Sequence, residues 1–156
     1  MAQLKDRLRT DLSAAMKARD TTVVATLRMA LSAVTNAEVA GSSARELSDE
    51  EVRAVLAREA KKRREAAEAF AGAGRDALAA QERTEGDVLA AYLPAQLDDA
   101  ELACLVDDAV AEVTAALGER PGQRQLGQVM KAATAKTAGR AEGARVAVAV
   151  RAALAG

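Results

Sequence analysis

Two six-residue stretches specify helix starts so fully that they restrict the whole chain to a helical design. In Leu47-Ser48-Asp49-Glu50-Glu51-Val52, the Ser48 hydroxyl can accept from the free amide three residues on, and Glu51 can reach back to the Ser48 amide. Leu47 and Val52 flank that box and can close over it as a hydrophobic staple. Leu97-Asp98-Asp99-Ala100-Glu101-Leu102 repeats the chemistry with Asp98 and Glu101 inside a staple of Leu97 and Leu102. Between and around these starts the apolar residues follow a helical period. Leu4, Leu8, Leu12 and Met16 mark a first helix ending near Arg19 and Asp20, and Val24, Leu27, Leu31 and Val34 mark a second from about Thr21 to Ala40.

The third helix runs from Ser48 to about Ala71, where Gly72 and Gly74 break it, and the fourth from about Arg75 to Leu93. Pro94 ends the fourth, because it donates no backbone hydrogen bond and pushes the preceding residue out of the helical region. A fifth helix follows the second capping box to about Leu117. Leu126, Val129, Met130 and Ala133 then give a short sixth helix ended by Gly139, and Val146, Val150 and Leu154 a last one. The expected fold is all-α: an N-terminal four-helix lobe over residues 1–93 and a smaller three-helix lobe over 94–156. Composition agrees. With prolines only at 94 and 121, and Phe70 and Tyr92 the only aromatics, the cores must be built from Leu, Val, Met and Ala, which suits closely approaching helices and not a sheet.

Missing residue types narrow the chemistry. Without histidine and with Cys104 alone, the chain has no imidazole base, no intrachain disulfide and no customary zinc ligand set, so neither a metal nor another cofactor is expected. Cys104 falls on the face opposite Leu102, Leu105 and Val113, among Glu101, Asp107 and Asp108, so an exposed and unreactive thiol is expected. No glycine-rich phosphate loop is present, and no serine lies in the setting of a hydrolase nucleophile. We therefore assign no catalytic residue. The first helix mixes charges among its leucines and no stretch approaches a membrane span, so a cytoplasmic protein without membrane contact is expected.

Charge is informative by segment, since the net value is only −1. Every charged residue from 98 to 119 is acidic, whereas residues 120–156 carry Arg120, Arg124, Lys131, Lys136, Arg140, Arg145 and Arg151 against Glu142 alone. Such a basic terminal segment can contact phosphates, with counterion release as the driving force. Equally, it can pack its basic faces near the acidic fifth helix; the sequence leaves both open. The run Lys61-Lys62-Arg63-Arg64 points in several directions around one helix and makes no patch. Arg63 and Glu59 instead fall in the apolar stripe of Val52, Leu56, Ala67 and Phe70, within about 20° of Val52 at a 3.6-residue period. Glu82 and Glu85 share the stripe of Leu78, Leu89 and Tyr92, and Arg28 borders that of the second helix. A polar network is expected in which Arg28 and Arg63 meet some of Glu59, Glu82 and Glu85, because an unpaired buried charge is costly. The sharper alternative, a carboxylate metal site or a catalytic acid pair, lacks the histidines a bundle site normally takes.

Beyond these readings, KKRREAAEAF at 61–70, AGR at 73–75 and YLPAQL at 92–97 resemble the central signature of the GatB/YqeY family. LRM at 27–29 is similar to the family's second helix, and LGQVMKA at 126–132 and GRAEGARV at 139–146 resemble its C-terminal module. Gly86 departs from it in mid-helix, and Glu142 stands where an aspartate is usual. The resemblance implies two all-helical subdomains and a kinship with the tail of the GatB subunit of glutamine-dependent tRNA amidotransferase, which helps hold tRNA. It implies a tRNA, or a tRNA-modifying amidotransferase complex, as partner. Gly127, Met130, Lys131, Lys136 and Gly139 match the tail's motif, making Lys131 and Lys136 the leading phosphate contacts, with Arg140 and Arg145 added from charge. A carbon-nitrogen ligase association with glutamine as donor attaches to the family, yet no reactive group for it is recognisable in this chain. The alternative is a protein–protein adaptor using the acidic fifth helix or the alanine-rich surfaces.

Overall fold

A computed structural model describes residues 3–156. Among them are seven α-helices and no strand: α1 (Gln3–Ala18), α2 (Thr21–Val39), α3 (Asp49–Gly72), α4 (Asp76–Ala90), α5 (Asp99–Leu117), α6 (Leu126–Thr137) and α7 (Gly143–Ala155), with one 3-10 turn at Gln123–Gln125 before α6. The all-helical expectation holds. The chain divides into two compact units, one ending at Leu93 and the other running from Pro94 to Gly156.

Both helix-start boxes are complete. The Glu51 amide donates to Ser48 Oγ at 3.2 Å and the Ser48 amide to Glu51 Oε2 at 2.9 Å. The Glu101 amide donates to Asp98 Oδ1 at 2.7 Å and the Asp98 amide to Glu101 Oε2 at 2.9 Å. Their staples are buried, Leu47 with Val52 and Leu97 with Leu102. Each box thus satisfies helix-end amides and draws the incoming chain onto a core.

In the N-terminal unit, α3 and α4 form the most extensively packed hairpin, with α1 and α2 set against it. Leu8, Leu27, Val34, Val52, Leu56 and Leu89 are its largest fully enclosed apolar side chains. In the C-terminal unit α5, α6 and α7 enclose Leu102, Val106, Val129, Val146 and Val150. Neither core contains an enclosed aromatic ring, so small and branched aliphatics set the helix spacing.

Three local expectations are corrected. Helix α4 ends at Ala90, not Leu93, and the chain tightens through Tyr92 N–Leu89 O and Leu93 N–Ala90 O bonds of 3.1 Å before Pro94. Met16 and Leu78 lie on helical stripes yet are 50% and 39% exposed, because each sits in a terminal turn that its neighbours do not cover. The left-handed cap of α6 is taken by Ala138 at φ 48°, with Gly139 following at φ 78°, so the turn begins one residue before the glycine.

Candidate functional site

In the N-terminal unit, charged side chains gather at the α3–α4 hairpin. The spacing of Glu59 and Arg63 on α3, and of Glu82 and Glu85 on α4, sets all four on facing stripes. Arg63 Nη1 lies 3.4 Å from Glu82 Oε2 and 3.6 Å from Glu85 Oε2, and Nη2 lies 3.7 Å from Glu59 Oε2. Nη2 also faces the Met29 sulfur on α2. One guanidinium, 23% exposed, therefore serves three carboxylates, and Lys62 adds a 2.8 Å bond to Glu59 from the solvent side. Arg63 Nε is enclosed without a partner among the described residues, so the cluster is not fully satisfied.

Arg28 does not join it. Its side chain is exposed and its guanidinium approaches the Met16 sulfur at 3.9 Å. A position on the border of a stripe leaves a long side chain free to turn outward, and Arg28 takes that course. The carboxylates all face the guanidinium, and no group of acidic or sulfur side chains among the described residues is arranged to hold a metal ion. The arrangement has a cation at its centre and no nucleophile beside it.

Two further polar contacts in this unit were not singled out from the sequence. Lys5 and Glu38 form a nearly buried pair at 2.6 Å, and Glu38 also accepts from the Leu47 amide, which holds its carboxyl below the usual range; the Lys5 bond is the main cause. Tyr92 donates to Asp11, and Arg7 lies 4.7 Å over its ring. Burial first, and then the Asp11 bond, push the Tyr92 hydroxyl well above its ordinary value. The signal for the first pair was present: Glu38 lies four residues beyond Val34, and Lys5 three before Leu8, each at the edge of an apolar stripe. The tyrosine's partner, eighty-one positions away in sequence, left no local signature.

In the C-terminal unit, the four cations singled out for phosphate contact occupy different situations. Arg140 Nε donates to Ala95 O at 2.9 Å, while its own carbonyl accepts from the Leu97 amide at 2.8 Å. Arg145 donates to Leu97 O at 3.0 Å and to Asp99 Oδ1 at 2.9 Å. These two arginines clasp the segment that leads into α5. Lys136 pairs with Glu112 of α5 at 2.9 Å. Lys131 is exposed on the outer side of α6, and among the described residues it has no hydrogen bond or ion pair. Cys104 is exposed.

The helix order, the central α3–α4 hairpin and the α6–α7 module are accompanied by a sequence match of nearly full length: the family model described as Yqey-like protein covers residues 5–154. The chain belongs to the YqeY family. No curated protein matches it. Within this family member, the matched span takes in both the Arg63 cluster and all four cations of α6 and α7. No helix among the described residues is long and apolar enough to cross a membrane.

Proposed function

We infer that this YqeY-family chain is a cytoplasmic tRNA-binding or tRNA-amidotransferase-associated module, with α6 and α7 contacting the RNA backbone by charge. It contributes binding, and any amide transfer is done by partner subunits. The observation that carries the reading is the exposed Lys131, unpaired among the described residues and set in a segment with seven cations and one acid. Lys136, Arg140 and Arg145 follow it in sequence, and their bonds within the unit leave the segment's charge excess in place. Absence of aromatics from α6 and α7 favours backbone contact over base stacking.

Titrating tRNA at several salt concentrations tests this. Lys131→Ala with Lys136→Ala is expected to weaken binding and to lower the salt slope by about 1 for each phosphate no longer neutralised. An unchanged affinity and slope overturns the proposed surface. A second reading, a protein–protein adaptor, is favoured by one observation: three of the four cations already have partners in their own unit. Under that reading tRNA binding is absent in the parent chain.

A further inference from the structure

Helix α7 is held to its unit by Val146, Val150 and Leu154, all buried. Its opposite side presents Ala144, Val148 and Ala152 to solvent, and Val148, at 65% exposure, is the most exposed of the large apolar side chains described. Two charges border that side: Arg145 is engaged by Leu97 O and Asp99, whereas Arg151 has no ion pair among the described residues. The outer faces of surface helices ordinarily carry most of a protein's charge, as α3 does here with Arg53, Arg58, Lys61 and Glu65. An outer face of alanine and valine with one unpaired arginine is therefore an unpartnered surface.

A complementary surface exists in the same unit. The outer side of α5 carries Cys104, Asp107, Asp108 and Ala111, all exposed, and neither aspartate has a cationic partner among the described residues. Its side chains are equally small and its charge is opposite. The two surfaces cannot meet within one chain, because α5 and α7 pack on each other through the buried stripes on their other sides. They can meet between chains.

We propose that the outer face of α7 docks the outer face of α5 from a second copy of this chain. Alanine on both sides lets the helix axes approach toward the short end of the usual 8–10 Å spacing, with Val148 filling the space beside Cys104 and Ala111. Arg151 meets Asp107 and Asp108 and fixes the register, since opposite charges at the contact select one alignment over its alternatives. Because the two surfaces differ, the contact closes into a pair when both copies use both surfaces, and otherwise extends head to tail. Arg151 lies outside the four cations assigned to RNA, so its substitution leaves those four in place.

Sedimentation of the full chain across micromolar to near-millimolar concentration is the test. Reversible association is expected, weakened about tenfold or more by Arg151→Glu and restored when Arg151→Glu is combined with Asp107→Arg and Asp108→Arg. The restored variant guards against a simple folding defect. Under mild oxidation, Val148→Cys is expected to link to Cys104 of another copy, and the link to disappear when Cys104→Ser is added. A chain that stays monomeric throughout, or an association indifferent to Arg151→Glu, overturns the proposal.

Discussion

In the N-terminal unit one guanidinium sits inside a helical hairpin among three carboxylates, whereas in the C-terminal unit each cation with a bond serves a carbonyl or a single acid near the surface. Both units start a long helix with the same capping box and staple. They differ in where charge is placed relative to the core. Enclosed charge couples to folding, because any member removed leaves its partners short of compensation. Charge at the rim is loosely coupled to folding and remains available to something else. The same residue type is thus enclosed in one lobe and held at the rim in the other.

Removing Arg63 should break this comparison most severely. Arg63→Met is expected to destabilise the chain by about 3 kcal/mol, near the lower end for breaking a buried ion pair because the cluster retains some exposure. Urea unfolding measures it, and the added changes Glu82→Gln and Glu85→Gln should recover part of the loss by removing the stranded charge. Arg145→Ala in the other unit should cost only about 1 kcal/mol, since it gives up one bond to Leu97 O and a pairing with the fully solvated Asp99. Equal costs at the two sites would erase the distinction.

Acid tests the first capping box next. Glu51, bonded first of all to Arg45 and then to the Ser48 amide, has its carboxyl lowered from 4.5 to about 2. A folded value below the unfolded one gives stability that is complete above about pH 4.5 and is lost as pH falls toward 2. Glu38 acts in the same direction through Lys5. The acid limb of thermal stability should therefore flatten in Glu51→Gln; a limb identical to that of the parent would mean that the Arg45–Glu51 pair adds nothing to stability.

The smallest effects come from backbone conformation. At Gly86 an added Cβ would lie 3.7 Å from the Arg63 Cβ, an ordinary contact, so Gly86→Ala should stabilise α4 by up to about 1 kcal/mol. Ala138 holds a left-handed conformation that glycine adopts without strain, so Ala138→Gly should stabilise α6's end by about 1 kcal/mol. Melting temperatures resolve both. A loss at Gly86 would mean that the hairpin needs a closer approach than its Cβ distance indicates.

Much of the fold was legible because helix signals are local. Leu47 to Val52 and Leu97 to Leu102 state their boxes within six residues, and the stripes of Leu4 with Leu8 and of Val146 with Val150 name the buried faces. The stripe logic also put Glu59 and Arg63 on the apolar side of the third helix and Glu82 and Glu85 on that of the fourth, although α3 and α4 had to pack before the distances existed. It failed at Met16, Leu78 and Arg28, where period gives an angle but not whether a neighbour covers that turn.

The sequence alone determined the order of the helices, their two capping boxes, the residue chemistry missing from the chain and the reversal of charge beyond residue 119, since each is written in the residues themselves or in neighbours within a few positions. Only tertiary structure decided which charges are shared and which are free. It set Arg63 among three acids, turned Arg28 outward, drew Arg140 and Arg145 onto the segment before α5, and left Lys131 and Arg151 without partners among the described residues. The physical reason is range: helix formation is written in residues three and four apart, whereas the pairing of a long charged side chain depends on what another helix brings within about 4 Å of it.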